Sequence, residues 1–239
     1  MKVIGLIPAR MESKRFPGKI LTPIHNKPLI GWVIERAKQA NLLNGLAVLT
    51  DNTEIVRYVQ SINCKAIMTP KECQSGTDRI ASAVLNHQID GDAFINIQGD
   101  EPLIEPNLIN QIAEQLKKNP IVTAVWKNID FIDYKNPNIV KAVLNKDHYA
   151  LYFSRAPIPF YRDETPQYFY QHIGIYGYQK DILLKYHHLA KSDLENWEKL
   201  EQLRFLDHNI PIKVILTEYK GIGIDTKEDL EKIIKLMKG

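Results

Sequence analysis

A chain of 239 residues with 44% hydrophobic and 25% charged side chains is long enough for a sizeable core and ordinary in composition for a globular protein. Its 31 basic and 28 acidic residues leave a net charge of +3, too small for bulk electrostatics to imply nucleic-acid or membrane binding. No apolar run approaches the ~20 residues needed to span a bilayer, and Cys64 and Cys73 form neither a CxxC pair nor a disulfide framework, so a cytoplasmic protein in a reducing compartment is expected.

Val3-Ile4-Gly5-Leu6-Ile7 is almost continuously apolar, as a strand covered on both faces must be. The stretch from Ile7 to Lys19 then reads as a long loop, and a helix begins near Pro28 with apolar residues at 29, 30, 33, 34 and 37. Leu46 to Thr50 is a second buried strand, after which Asp51 or Asn52 can cap a helix running through Tyr58. Ala66 to Met68 is a short strand, Ile80 to Leu85 continues a helix, and Ala93 to Ile97 is a fourth strand before a helix over roughly Pro106 to Lys117. This β-α alternation predicts a parallel sheet with right-handed crossovers. Beyond about residue 120 strands predominate: Ile121 to Trp126, Val140 to Leu144, Ala150 to Phe153 and Ile173 to Tyr178. A helical stripe runs from Leu194 to Leu206, Ile212 to Leu216 is a strand, and Asp229 to Met237 is a closing helix. With no repeat or flexible linker, the pattern suits one α/β unit carrying a β-rich insertion.

Five groups of residues carry candidate chemistry. The loop after the first strand holds Arg10, Lys14, Arg15 and Lys19, with Lys27 just beyond, against one acid, Glu12. A cationic loop at the carboxyl end of a parallel strand suits a polyphosphate, although a solvated surface loop has the same composition. Gln98-Gly99-Asp100-Glu101-Pro102 also follows a strand, and Asp100 suits Mg²⁺, which takes oxygen ligands and shares them with phosphates; a turn or capping acid is the alternative. Asp225, in Gly221-Ile222-Gly223-Ile224-Asp225-Thr226, reads either as a second metal carboxylate or, with Thr226, as an ordinary N-cap of the last helix. Ser75-Gly76-Thr77-Asp78-Arg79 opens a helix whose free N–H groups suit an anion or a base edge, or simply cap it. Arg155, Arg162, His172 and Tyr176 suit a carboxylated sugar, although from the residues alone core or surface roles fit them better. Gly18-Lys19 is not a Walker A loop, since Ser13 stands where glycine is needed, and Gly221-Ile222-Gly223 lacks the third glycine of a dinucleotide fingerprint.

Taken in order, Ile7-Pro8-Ala9-Arg10 with Arg15-Phe16-Pro17-Gly18-Lys19, Gln74 to Arg79, Gln98 to Pro102, Ala150 to Arg155, His172 to Tyr178, Leu200-Glu201-Gln202-Leu203-Arg204 and Gly223 to Thr226 closely resemble the 3-deoxy-manno-octulosonate (Kdo) cytidylyltransferase family over nearly the whole chain. The resemblance implies a Rossmann-like nucleotidyltransferase fold of the nucleotide-diphospho-sugar transferase type, with a mostly parallel central sheet. It implies one domain over 1–239, with 1–120 mainly for CTP, 121–215 mainly for sugar binding and dimerisation, and 216–239 returning to the metal site. The implied reaction is CTP plus Kdo to CMP-Kdo plus pyrophosphate, activating Kdo for lipopolysaccharide synthesis, with Mg²⁺ required and a homodimer as the assembly. Residue by residue, it implies Arg10, Arg15 and Lys19 on the CTP phosphates, with Ala9 and the Gln74, Ser75, Gly76, Thr77, Arg79 loop around cytidine. It implies Asp100 and Asp225 on Mg²⁺, and Gln98, Arg155, Arg162, His172, Tyr176, Glu201 and Gln202 around the sugar. The catalytic set is Arg10, Arg15, Lys19, Asp100 and Asp225. By the same resemblance Leu183 to Trp197 belongs to the dimer interface, while Lys27 drops out as a surface charge at the helix start. Departures lie at Met11 to Lys14, a more charged version of a variable part of the loop, and at Phe160-Tyr161-Arg162. The rival readings are a cytidylyltransferase for an 8-amino-Kdo or sialic-acid-type sugar and a nucleotide-binding relative without turnover.

Overall fold

Val3, Ile4, Leu6 and Ile7 are all less than 5% exposed, because the strand they form is paired on both edges and covered on both faces. The computed structural model describes residues 1–12, 15–73, 75–162 and 167–237. The first half comprises β1 (Val3–Pro8), a small ribbon of β2 (Pro23–Ile24) and β3 (Lys27–Pro28), α1 (Leu29–Lys38), β4 (Gly45–Thr50), α2 (Thr53–Ser61), β5 (Lys65–Met68), α3 (Gly76–Leu85), β6 (Ala93–Asn96) and α4 (Pro106–Gln115). The second half comprises β7 (Ile121–Asn128), α5 (Phe131–Lys135), β8 (Lys141–Leu144), β9 (Ala150–Ser154), β10 (Phe169–Gln179), α6 (Lys180–Tyr186), α7 (Asp193–Glu198), α8 (Gln202–Asp207), β11 (Ile212–Leu216) and α9 (Lys227–Leu236).

Strands from both halves join one sheet in the order β11-β7-β10-β6-β1-β4-β5, with β8 and β9 attached beside β10. Along this path β10 runs antiparallel to both β6 and β7, and the other neighbouring pairs are parallel. Successive β1 side chains take opposite faces. Val3 and Ile7 pack with α1, α2, α4 and Ile233 of α9, whereas Ile4 and Leu6 pack with α3, α6 and α8. The result is three layers with the sheet in the middle, which sends the loops after β1, β4 and β6 to a common edge.

The structure differs from the sequence expectation mainly after residue 120. The single stripe predicted over 194–206 is two helices, α7 and α8, because Lys199 adopts a left-handed backbone (φ 55°) that breaks the run. The short α5 and α6 were not expected, and β10 begins at Phe169, earlier than the apolar run suggested. Asn52, not Asp51, caps α2, accepting from the amides of Glu54 and Ile55. Thr226 caps α9 in a capping box with Asp229, which leaves the Asp225 carboxylate to other partners.

Candidate active site

The site is built where β1, β6 and the chain after β11 end. Beyond β1 the amide of Ala9 still bonds to Leu49 O (2.8 Å), extending the pairing with β4 and presenting Arg10 outward. The loop closes where the Gly18 amide meets Met11 O (3.0 Å). Gly18 has φ 73°, so its glycine is required by the turn that starts the short helical turn Lys19–Leu21. That turn swings Lys19 inward until the residue is only 9% exposed.

A buried ammonium must be paired. Lys19 Nζ donates to Asp100 Oδ2 (2.6 Å), to Asp225 Oδ1 (3.2 Å) and to Ile224 O (2.8 Å), which occupies all three protons. Arg15 meets the other oxygen of Asp225 at 2.7 Å. Asp100 and Asp225 thus converge on one point from loops far apart in the chain. Among the described residues no third His, Cys, Asp or Glu joins them to make a metal cluster. Two hard oxygen donors aimed at one point fit a cation that draws its remaining ligands from phosphate oxygens and water.

A cavity of about 690 Å³ opens here, lined by Ala9, Arg10, Arg15, Lys19, Ser75, Gly76, Arg79, Gln98, Asp100 and Asp225 of the residues singled out from the sequence. Glu12 and Cys73 also line it and were not among them. Ser75 caps α3, its hydroxyl accepting from the Asp78 amide at 3.1 Å, so the positive end of that helix faces the cavity. Thr77 is buried away from the opening, its hydroxyl 3.5 Å from that of Tyr178. Gln74 lies outside the described residues. Arg79 is 3% exposed, and its guanidinium holds Asp51 Oδ2 (2.8 Å), Thr69 Oγ1 and Pro70 O (3.4 Å). It therefore braces the segment leading to residue 75 from beneath. Asp51 immediately follows β4 as Asp100 closely follows β6, and that strand-end position was the signal that could have found it.

The residues assigned to the sugar are more dispersed. Gln98 borders the cavity and donates to Gly174 O at 2.6 Å. His172 and Tyr176 share one face of β10 with ring centroids 5.3 Å apart, and Phe153 lies 5.1 Å from the His172 ring. The Thr123 hydroxyl donates to Ile175 O (2.8 Å), so its contact with His172 Nε2 (3.0 Å) assigns the proton there to the imidazole. Burial depresses the His172 pKa to about 3, keeping the ring neutral. Burial, and then the neighbouring Tyr178, push the Tyr176 hydroxyl well above its ordinary value.

Glu201 borders an adjoining cavity of about 580 Å³ that shares Ser75 with the first. Burial raises its carboxyl pKa, opposed by hydrogen bonds from Ser75 and Thr77. Gln202 is buried, and its Nε2, like Asn96 Oδ1, has no hydrogen-bond partner among the described residues. Arg155 donates to Glu198 O (2.7 Å) and Pro137 O (2.9 Å) and does not line either cavity. Arg162 sits in the loop before β10 and lines neither cavity. Lys27 pairs with Glu35 and lies over the Trp32 ring, away from the site. Glu101, adjacent to Asp100, is buried and accepts from the Tyr219 hydroxyl at 2.9 Å. Its pKa rises to about 7, through burial first and then the Asp100 charge.

A mostly parallel sheet with a cationic loop after β1, a helix N-terminus and two convergent carboxylates at its carboxyl edge defines an enzyme of the nucleotidyltransferase class. The cytidylyltransferase family profile matches residues 4–214. The chain is 47% identical to the 3-deoxy-manno-octulosonate cytidylyltransferase of Thermodesulfovibrio yellowstonii, covering 97% of this chain and 96% of that one. It is 44% identical to that of Fusobacterium nucleatum, covering 100% and 98%. A solved CMP:2-keto-3-deoxy-manno-octonic acid synthetase complexed with CTP superposes with a TM-score of 0.95 at 38% identity, covering 100% of this chain and 99% of that one. The chain belongs to the 3-deoxy-manno-octulosonate cytidylyltransferase family.

Proposed function

We propose that this enzyme transfers CMP from CTP to Kdo with release of pyrophosphate, using Mg²⁺ held by Asp100 and Asp225. The observation that carries this reading is the meeting of Lys19, Asp100 and Asp225 at one point of the cavity. The anomeric hydroxyl of Kdo attacks the α-phosphorus in line; the new O–P bond forms as the bond to pyrophosphate breaks, and the hydroxyl proton passes to solvent. Little covalent help from the protein is needed, so positioning and charge neutralisation carry the rate.

Electrostatics favour this assignment. Arg79 is neutralised by Asp51, which leaves Arg10, Arg15 and Lys19 facing Glu12, Asp100 and Asp225 across the cavity. Asp100 and Asp225 would hold a divalent ion, and with their charge so offset the cavity would favour an anion. Arg10, Arg15 and Lys19 then hold the triphosphate and stabilise the departing pyrophosphate. When bound, Mg²⁺ supplies Lewis-acid polarisation that lowers the pKa of the attacking hydroxyl and offsets developing charge, worth several kcal/mol.

Ala9, Ser75, Gly76 and the Arg79-braced segment surround the cytidine, with Thr77 supporting the helix start. We assign Gln98, Arg155, Arg162, His172, Tyr176, Glu201 and Gln202 to the sugar, with Gln98 and Glu201 bordering the two cavities and the other five outside their linings in this structure. Among the described residues no helix is long and apolar enough to cross a membrane. A cytoplasmic homodimer feeding lipopolysaccharide synthesis accords with the family.

Pyrophosphate release measured with CTP, Mg²⁺ and a panel of Kdo, 8-amino-Kdo and a sialic acid tests the proposal. Turnover with Kdo is expected. Turnover restricted to another sugar, or none with any, overturns it.

A further inference from the structure

Asp225 reaches Asp100 by an unusual route. Its loop leaves β11 at the sheet edge, and β7 and β10 stand between β11 and β6. The chain must therefore cross about three strand spacings, roughly 14 Å, without forming a strand or helix. Thr217 starts the crossing with its amide on Val125 O (3.0 Å), and Lys220 lies over the Trp126 ring of β7. Gly221, at φ 63°, passes over Ile173 of β10, where an added Cβ would stand 3.2 Å from the Ile173 side chain.

Two bonds then dock the loop on the Asp100 segment. The Ile224 amide donates to Asp100 O (3.0 Å), and the Tyr219 hydroxyl donates to Glu101 Oε2 (2.9 Å). Tyr219 is 6% and Glu101 7% exposed, so this hydrogen bond is shielded from water. Lys19 also bridges the two loops, but its three protons are all engaged in doing so, and any phosphate contact withdraws it. The Tyr219–Glu101 bond does not involve Lys19 and is independent of where the ammonium points.

We infer that Tyr219 and Glu101 are positioning residues whose buried hydrogen bond fixes the Asp225 loop against the Asp100 segment and so sets the spacing at which the two carboxylates hold a divalent cation. This rests on the assignment of Asp100 and Asp225 as the metal carboxylates. Tyr219→Phe removes one hydroxyl and keeps the ring. Tyr149→Phe is the control, since it deletes a comparable hydrogen bond, to Asn119 (2.8 Å), far from the site.

The measurement is Mn²⁺ binding to the free enzyme by electron paramagnetic resonance, beside CTP binding in EDTA by calorimetry. Tyr219→Phe is expected to weaken Mn²⁺ binding about fivefold, the loss of one net hydrogen bond, with metal-free CTP affinity unchanged. Tyr149→Phe is expected to lower the melting temperature similarly and leave Mn²⁺ binding intact. Wild-type Mn²⁺ affinity in Tyr219→Phe, while Asp100→Asn loses it, overturns the positioning role and leaves the metal assignment standing. Equal weakening in Tyr149→Phe overturns it as a mere stability effect. Unchanged Mn²⁺ binding in Asp100→Asn overturns both assignments.

Discussion

The ammonium of Lys19 lies 2.6 Å from Asp100 across 81 residues of sequence, and the same nitrogen reaches Asp225. A cation from the β1 loop thus holds together two carboxylates that the chain delivers separately. This relationship makes one site of three stretches, each of which alone reads equally well as a surface loop or a cap.

Asp100→Ala is expected to lower turnover by at least about 100-fold, since it removes one of two convergent charges at the reacting centre. Stability changes little, because Lys19 keeps Asp225 and Ile224 O as acceptors. Pyrophosphate release and a melting curve on the same sample check both halves. Near-normal turnover refutes the assignment.

Asp51→Ala strands the buried guanidinium of Arg79. Removing one partner of a buried ion pair costs about 3–5 kcal/mol, and the side chains here are 3% and 17% exposed. Urea unfolding should register the loss, and CTP affinity should fall with it as the segment below residue 75 loosens. A variant as stable as wild type contradicts the bracing role.

Glu195 and Arg204 form a second buried pair, with two bonds of 2.7 and 2.6 Å and the guanidinium stacked over Tyr186. Arg204→Met is expected to cost about 3–5 kcal/mol, and Glu195→Gln combined with Arg204→Met less than the sum of the singles. A double-mutant cycle by urea denaturation decides. Additive losses would show that the pair is not coupled.

His172 gives a pH signature. Its folded pKa, about 3, lies below the unfolded 6.5, so the stability it contributes is present above pH 6.5 and is lost as pH falls toward 3. Between pH 6.5 and 5 the stability of wild type relative to His172→Gln should fall by about 1–2 kcal/mol, allowing for the partial solvent contact of the ring. Glu101, raised to about 7, works oppositely in wild type and variant alike, which is why the difference between them is the informative quantity. Parallel pH curves would remove His172 from the account.

The strands were legible because Val3 to Ile7, Leu46 to Thr50 and Ala93 to Ile97 are apolar runs bounded by loops, and burial on both faces demands such runs. Ser75 and Thr226 were legible as caps because capping is local chemistry. Helices α5 and α6 span only 5 and 7 residues, too short for a period of 3.6 to declare itself, and the break at Lys199 is a backbone choice that its side chain does not advertise.

The sequence by itself determined the residue types: a cationic loop after the first strand, acids after later strands, hydroxyls at helix starts. Only the tertiary structure decided which of them meet. Arg79 takes Asp51, Tyr219 takes Glu101, Thr226 rather than Asp225 caps α9, and Lys19 takes both site carboxylates. Local pattern follows from the chemistry of adjacent residues. Contacts between residues more than a hundred positions apart follow from strand order, which places β11 three strands from β6 and obliges its loop to cross back over the sheet.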